Sequence, residues 1–186
     1  MKRAILLFVA MLAASSMALA ADTYTFDGAH SSANFTVRHL GISLVHGRFA
    51  DVSGTVLFDE KAPEKSSVTA VIKAASINTD IAMRDKDLNS EGFFDTGKYP
   101  EIRFQSTGIR KDGDKYLVAG NLTIKDVTKQ VEIPFTLAQG KGTKGESRLG
   151  ALGNLTINRL DYHVSKLPGV VGDDVNIELS VEAVKQ

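Results

Sequence analysis

Apolar and polar side chains alternate with a period of two along most of the chain. The stretch Phe35-Thr36-Val37-Arg38-His39-Leu40 shows it early, with Phe35 and Val37 on one face and Thr36 and Arg38 on the other, the signature of a strand. Thr23 to Phe26 is a short strand before it, closed by the turn pair Asp27-Gly28. Val52, Gly54, Val56 and Phe58 share a face, and a charged turn over 59–65 separates them from Val68, Ala70, Ile72 and Ala74. Beyond residue 100 come Ile102, Phe104 and Ser106, then Tyr116, Val118, Gly120, Leu122 and Ile124. Val131, Ile133, Phe135 and Leu137 follow, then Leu149, Ala151, Gly153, Leu155 and Ile157, and last Val175, Ile177, Leu179 and Val181. Turn signals lie between them at 111–114, 139–142 and 168–169. Pro134 cannot donate a ladder bond, which predicts an edge strand or an outward-facing N–H position.

One segment departs from the alternation. Asn78-Thr79-Asp80 offers N-cap residues, Ile81 to Ser90 is rich in helix formers, and Gly92 can close the helix in a left-handed turn. Phe93-Phe94 then seals this helix against the sheet, and Tyr99-Pro100 punctuates the return to strands. About eight or nine hairpin-linked strands with one short helix predict a mainly β fold, an antiparallel sandwich or a closed barrel. Small residues at 54, 70, 74, 120, 151 and 153 interleave with large ones on the faces taken as inward. They imply a hollow interior or, equally, a tightly curved sheet.

The N-terminus changes the extent of this fold. Lys2-Arg3, an apolar run from Ala4 to Leu12 and Ala18-Leu19-Ala20 form the pattern of a secretory signal peptide over residues 1–20. The run is too short for a spanning helix, and the absence of cysteine excludes a lipid-anchored leader. Residues 21–186 then suit one domain with a sizeable core. They hold 20 basic against 22 acidic residues, a net charge of −2 that gives no support to nucleic-acid binding. The chain has 0 cysteines, so disulfides, thiolate metal sites and cysteine nucleophiles are excluded.

Candidate chemistry is sparse. Ser31 follows His30 directly, and adjacent strand residues face opposite ways, so they form no dyad. No nucleophile elbow, dinucleotide fingerprint or phosphate loop is present, and the glycine-rich run 140–145 lies between strands. His30, His39 and His46 cluster in sequence but lack the spacing that pairs metal ligands on one strand or helix. An apolar pocket is what remains, and for an exported barrel the matching ligand is an amphiphile with its tail inside and its head at the rim.

An ordered series of motifs carries a resemblance: Asp27-Gly28-Ala29-His30-Ser31, Phe35-x-Val37-Arg38-His39-Leu40, Gly47-Arg48-Phe49, Ala75 to Thr79, Arg84-Asp85-Lys86, Phe93-Phe94-Asp95, the Lys98-to-Ser106 stretch, Gly120-x-Leu122 to Lys125, Val127-Thr128-Lys129 and Ile157-Asn158-Arg159-x-Asp161-Tyr162. On these the chain resembles the bacterial YceI-like proteins, which are periplasmic and bind lipids or polyisoprenoids. The resemblance implies an eight-strand antiparallel lipocalin-like β-barrel with one helix, an elongated apolar cavity, no catalysis and no cofactor beyond the lipid. It implies an isoprenoid, quinone or fatty-acyl ligand and a periplasmic location. Transient membrane contact and a homodimer are compatible with it. The chain departs from the family pattern at Asp87, where the family usually has His, at Asn89, where Arg is frequent, at Asp126 in place of glycine, and at Gln130 in place of proline. The first two changes move the helix region toward negative charge, which suits a neutral head group better than a diphosphate.

The function expected is therefore that of a periplasmic carrier for a polyprenyl lipid, an isoprenoid quinone or another long-chain amphiphile. The alternatives are a quinone- or haem-linked redox or stress-response participant, or a metal-binding protein. The expected cavity wall is Phe35, Val37, Phe49, Val56, Phe93, Phe94, Ile102, Phe104 and Ile157. The expected polar end is His30, Arg38, His39 and Arg159. For Arg159 a structural ion pair with Asp161 or another barrel residue is the favoured reading over ligand contact. Arg38 alternates away from Phe35 and Val37 and reaches the cavity only from a strand end or bulge.

Overall fold

A computed structural model describes residues 21–186; the signal-peptide reading of residues 1–20 lies outside them. Alternation produces eleven strand segments: β1 (Asp22–Phe26), β2 (Ser32–His39), β3 (Ser43–Phe49), β4 (Val52–Phe58), β5 (Ser67–Lys73), β6 (Ile77–Asn78), β7 (Glu101–Asp112), β8 (Lys115–Ile124), β9 (Val127–Lys141), β10 (Ser147–Asn158) and β11 (Val171–Lys185). One helix, α1 (Ala82–Leu88), interrupts them.

All neighbouring strands are antiparallel, and six of the segments are halves of three bent strands. β1 and β2 both pair with β11, β4 and β3 pair with β1 and β2, and β5 and β6 pair with β4 and β3. The sheet runs on through β7, β8, β9, β10 and β11, and the β1–β11 pairing closes it into an eight-strand barrel. Closure removes the terminal edges of the sheet, although β9 before Phe135 and β10 after Gly153 are not paired with each other. The bends have local causes. Between β1 and β2, Asp27 Oδ1 accepts the Ala29 N–H at 3.1 Å, an Asx turn. Between β3 and β4, Ser76 anchors the chain through Ala50 N to its carbonyl at 3.2 Å and Asp51 N to its Oγ at 3.1 Å.

Two apolar clusters fill the ends. Tyr24, Phe58, Ile109, Tyr116 and Leu149 are buried where β1 begins, with Phe58 and Tyr116 edge to face at 5.7 Å. Phe49, Ile77, Phe93, Ile124, Tyr162 and Val164 are buried at the other end, beneath α1 and the loops 89–100 and 159–170. The first cluster is a floor of interdigitated wall residues; the second is a cap that the chain lays across the barrel.

Two expectations change, and the one at Pro134 is made specific. α1 is shorter than 81–90, and Ile81, without a side-chain cap bond, occupies its N-cap. Thr79 instead closes the turn by donating its N–H and hydroxyl to Asp85 Oδ1 at 2.9 and 2.6 Å. Gly92 makes no left-handed turn. Its missing side chain lets Lys166 lie across it, since a Cβ there would be 2.8 Å from Lys166 Cδ, while Asp95 takes the positive φ of 48°. Pro134 lies on an interior strand of the sheet, but at a position where β9 is paired with β8 alone. Pairing with β10 begins only at Phe135, so the proline borders the half of β9 that β10 leaves unpaired.

Candidate functional site

The closed sheet and its two plugs enclose an apolar cavity of about 240 Å³ that runs along the barrel. Its length follows from its walls: Phe58, Tyr116 and Leu149 of the floor line it, and so do Leu88, Phe93 and Val164 of the cap.

The cavity stays open because phenylalanine rings lie against the wall. Each covers a glycine of the neighbouring strand: Phe35 on Gly47, Phe26 on Gly54, Phe104 on Gly120 and Phe135 on Gly153. A Cβ at Gly54 would stand 2.8 Å from Phe26 Cε2, and one at Gly153 would stand 2.5 Å from Phe135 Cε1. Real side chains do not approach so closely, so only glycine accepts the ring there. The small residues thus serve close approach, and the same approach leaves room in the interior.

All nine apolar residues named from sequence line the cavity: Phe35, Val37, Phe49, Val56, Phe93, Phe94, Ile102, Phe104 and Ile157. Three of their rings form a chain from wall to cap, Phe35 to Phe49 at 5.8 Å and Phe49 to Phe94 at 5.5 Å and 89°. Phe26, Phe135, Leu88, Tyr162 and Val164 also line it and were not singled out. Phe135 could have been found, because it alternates with Ile133 and Leu137. Tyr162 and Val164 sit in a segment without periodicity, where sequence carries no facing signal.

The expected polar end is corrected. Among the four residues named, only Arg159 reaches the cavity, and its charge is turned away into backbone. Its guanidinium donates to the carbonyls of Val164 at 2.6 Å, Gly172 at 2.9 Å, and Lys166 and Val171 at 3.0 Å, with Asp173 Oδ1 at 3.5 Å. Asp161 instead pairs with Lys129 at 2.8 Å. Burial pushes the Arg159 pKa down from its usual value, against the opposing pull of Asp173, and the group stays protonated. Arg159 is therefore the clamp that folds the 159–172 segment over the barrel end.

His30, Arg38 and His39 do not line the cavity. His30 follows the β1–β2 bend, where the chain has left the inward-outward register, and its Nδ1 lies 2.9 Å from Asp27 Oδ2. Arg148 binds the same carboxylate oxygen at 2.9 Å and also pairs with Glu146 and Glu182. His30 and Arg148 together hold the Asp27 carboxyl at about 2, well below the usual range. Ser31 Oγ lies 3.2 Å from both the N–H and the carbonyl of Glu182. This motif is a structural corner binding the bend to β10 and β11. Arg38 is exposed, on the outward side that alternation gives it, and His39 pairs in register with Val171 at the barrel end. His46 lies on the outer face beside Thr36, 3.3 Å from its Oγ1.

Among the described residues, potential metal ligands converge at Asp27, His30 and Glu182. Arg148 already supplies positive charge to both carboxylates, so this cluster is explained without an ion. The departures near the cap are also compensated. Asp87 pairs with Lys166, whose Nζ lies 5.6 Å from the Phe93 ring centre. Asn89 is bound to Asp85 O at 2.7 Å and Thr96 Oγ1 at 2.8 Å. Asp126 lies 3.1 Å from His163 Nδ1, and that histidine holds its pKa below the usual value. Asp87, the carboxylate gained on the helix, is therefore neutralised by Lys166.

The YceI-like domain family matches residues 24–183, which span the barrel from β1 to β11. This chain belongs to the YceI-like family. Protein YceI of Escherichia coli O157:H7 is 38% identical over 184 residues, covering 97% of this chain and 96% of that protein. The crystal structure of BcnA from Burkholderia cenocepacia superposes with a TM-score of 0.77 at 28% identity, covering 84% of this chain and 98% of that one. A polyisoprenoid-binding domain from Saccharophagus degradans, implicated in plant cell wall breakdown, shares the fold with a TM-score of 0.69 at 19% identity, covering 88% of this chain and 98% of that one.

Proposed function

We propose that this YceI-like chain is a binding protein that carries an isoprenoid lipid, a polyprenyl chain or an isoprenoid quinone, or another long-chain amphiphile in its barrel. The carrying observation is the elongated cavity whose walls are aromatic and aliphatic from floor to cap, with Arg159 satisfied by backbone carbonyls. Such a space has no partner for a charged or strongly polar ligand, whereas an apolar tail leaving water gains about 0.8 kcal/mol per CH₂. A bilayer offers a tail a similarly apolar environment. Transfer between barrel and membrane would then be nearly balanced, as a carrier needs.

Polyisoprenoids head the ligand classes because the Saccharophagus degradans domain of this fold is named for binding them. The leader pattern of residues 1–20 and the absence of cysteine support export to the periplasm. Among the described residues no helix is long and apolar enough to cross a membrane. In this proposal the barrel catalyses nothing and holds no cofactor besides its lipid. Delipidated protein offered a polyprenyl lipid or a quinone tests it: saturable, roughly stoichiometric uptake is expected. Replacing Phe35 and Phe104 by glutamine should abolish that uptake. Visible absorption bands or stoichiometric metal in purified protein would favour a redox role instead.

A further inference from the structure

We propose that the β2–β3 tip and the adjoining 167–170 loop form a membrane-docking surface that dips into the lipid bilayer. The inference rests on the cavity reading for its purpose but on separate residues for its support.

Both loops stand at the capped end of the barrel. They are tied together: Leu40 N–H donates to Val170 O at 2.7 Å, and His39 lies in register with Val171. Val37 and Val171, just inside them, line the cavity. Their outer surface is apolar where water should demand polarity. Ile42 is 83% exposed, Leu40 53%, Leu44 51% and Leu167 43%. Beyond β6 the chain runs antiparallel to β3 toward this same end, and there it exposes Ile81 and Met83. An apolar patch at the tip of a protruding hairpin, beside the end of a lipid-shaped cavity, fits an interfacial anchor.

The backbone supplies a second and independent observation. Six non-glycine residues among those described have positive φ, and four of them are Asp, Lys or His. The other two are Leu40 at 53° and Leu167 at 57°. Glycine adopts that conformation at no steric cost, whereas leucine has the Cβ clash and lacks the short polar side chain whose local hydrogen bonds help Asn and Asp there. Burial does not account for leucine at either place, because both are exposed. Two exposed leucines held in left-handed backbone on two joined loops are explained by a surface that needs the side chains themselves.

The charges around the tip permit this. Between Val37 and Val45, and between Ser165 and Val171, the chain carries Arg38, His39 and Lys166 and no carboxylate. The facing acids are Asp87, paired with Lys166, and Asp173, which lies 3.5 Å from Arg159; Asp174 is exposed beside it. The two loops thus carry no carboxylate to repel a bilayer, and Arg38, the cation among them without an ion pair among the described residues, can meet an anionic headgroup.

The chain has no tryptophan, so one placed at the tip reports alone. Ile42→Trp is mixed with vesicles of phosphatidylethanolamine and phosphatidylglycerol containing no isoprenoid. Its emission should shift to the blue. Asp114→Trp, in the exposed turn at the opposite end, should not shift. The double variant Leu40→Gly/Leu167→Gly relieves the backbone while removing apolar surface. It should melt at or above the parent temperature and bind the vesicles at least about tenfold more weakly. No shift at position 42, an equal shift at 114, or unchanged binding of the double variant would overturn the proposal. So would a tip that buries itself in a second copy of the chain, seen as self-association lost in Ile42→Asp without vesicle binding. Lipid uptake from detergent with no docking overturns this inference alone, and docking without uptake overturns the cavity reading alone.

Discussion

The Phe135 ring lies over Gly153, its direct partner in the β9–β10 register, so closely that a Cβ at 153 would stand 2.5 Å from Cε1. Phe35 stands in the same register relationship to Gly47, while Phe104 reaches Gly120 diagonally. Glycine and phenylalanine thus act as pairs that move aromatic bulk out of the lumen and onto the wall. Gly153→Val would force the ring inward. It should cost about 1–3 kcal/mol in denaturant unfolding and reduce lipid uptake. Gly150→Ala, where an added Cβ meets nothing nearer than 3.7 Å, should change neither appreciably.

Arg159 holds four backbone carbonyls of the segment that closes the barrel end. Arg159→Met would leave these buried acceptors without their donor, and stability should fall by about 3 kcal/mol or more. Arg159→Lys should not rescue it, because one ammonium cannot reproduce the planar fork. Denaturant midpoints of the three proteins check this.

The period-two pattern made the mainly β fold and most of the inward-facing residues legible, because a half-buried strand must alternate whatever its neighbours do; barrel rather than sandwich came from the family resemblance. Phe35, Val37, Phe104 and Ile157 were readable for that reason. The polar end was not. His30 sits at a bend where periodicity stops, and only the fold brings Arg148 and Glu182, more than a hundred residues away in sequence, to Asp27. Arg159 could be recognised as important but not assigned, because its partners are backbone carbonyls, which leave no trace in a side-chain pattern. Gly92 invited a turn reading that fails because its close neighbour, Lys166, is remote in sequence.

The Asp27 corner gives a pH dependence. His30 and Arg148 lower its carboxyl from 3.8 to about 2, so folding favours the ionised form. The stabilisation is complete above 3.8 and is lost as pH falls through about 2. The melting temperature of the parent, relative to Asp27→Asn, should hold level from about pH 5 to pH 4 and decline below that. An equal acid limb in both proteins would remove the corner from the account.

Asp87 and Lys166 join α1 to the 159–170 segment across the cap. Both are partly exposed, so Asp87→Asn should cost less than about 1 kcal/mol. A looser cap should nevertheless release bound lipid faster. Stopped-flow transfer of a fluorescent fatty acid to vesicles checks it, with the off-rate expected to rise while the melting temperature barely moves.

The most direct measurement of the central claim is what the barrel contains when it leaves the cell. Protein purified without detergent is extracted into organic solvent, and the extract is identified by mass spectrometry. A long-chain isoprenoid or acyl lipid in near-stoichiometric amount is the predicted result, absent when Phe35 and Phe104 are glutamine. A reproducibly empty barrel that also refuses polyprenyl lipids, quinones and fatty acids in solution would contradict the account.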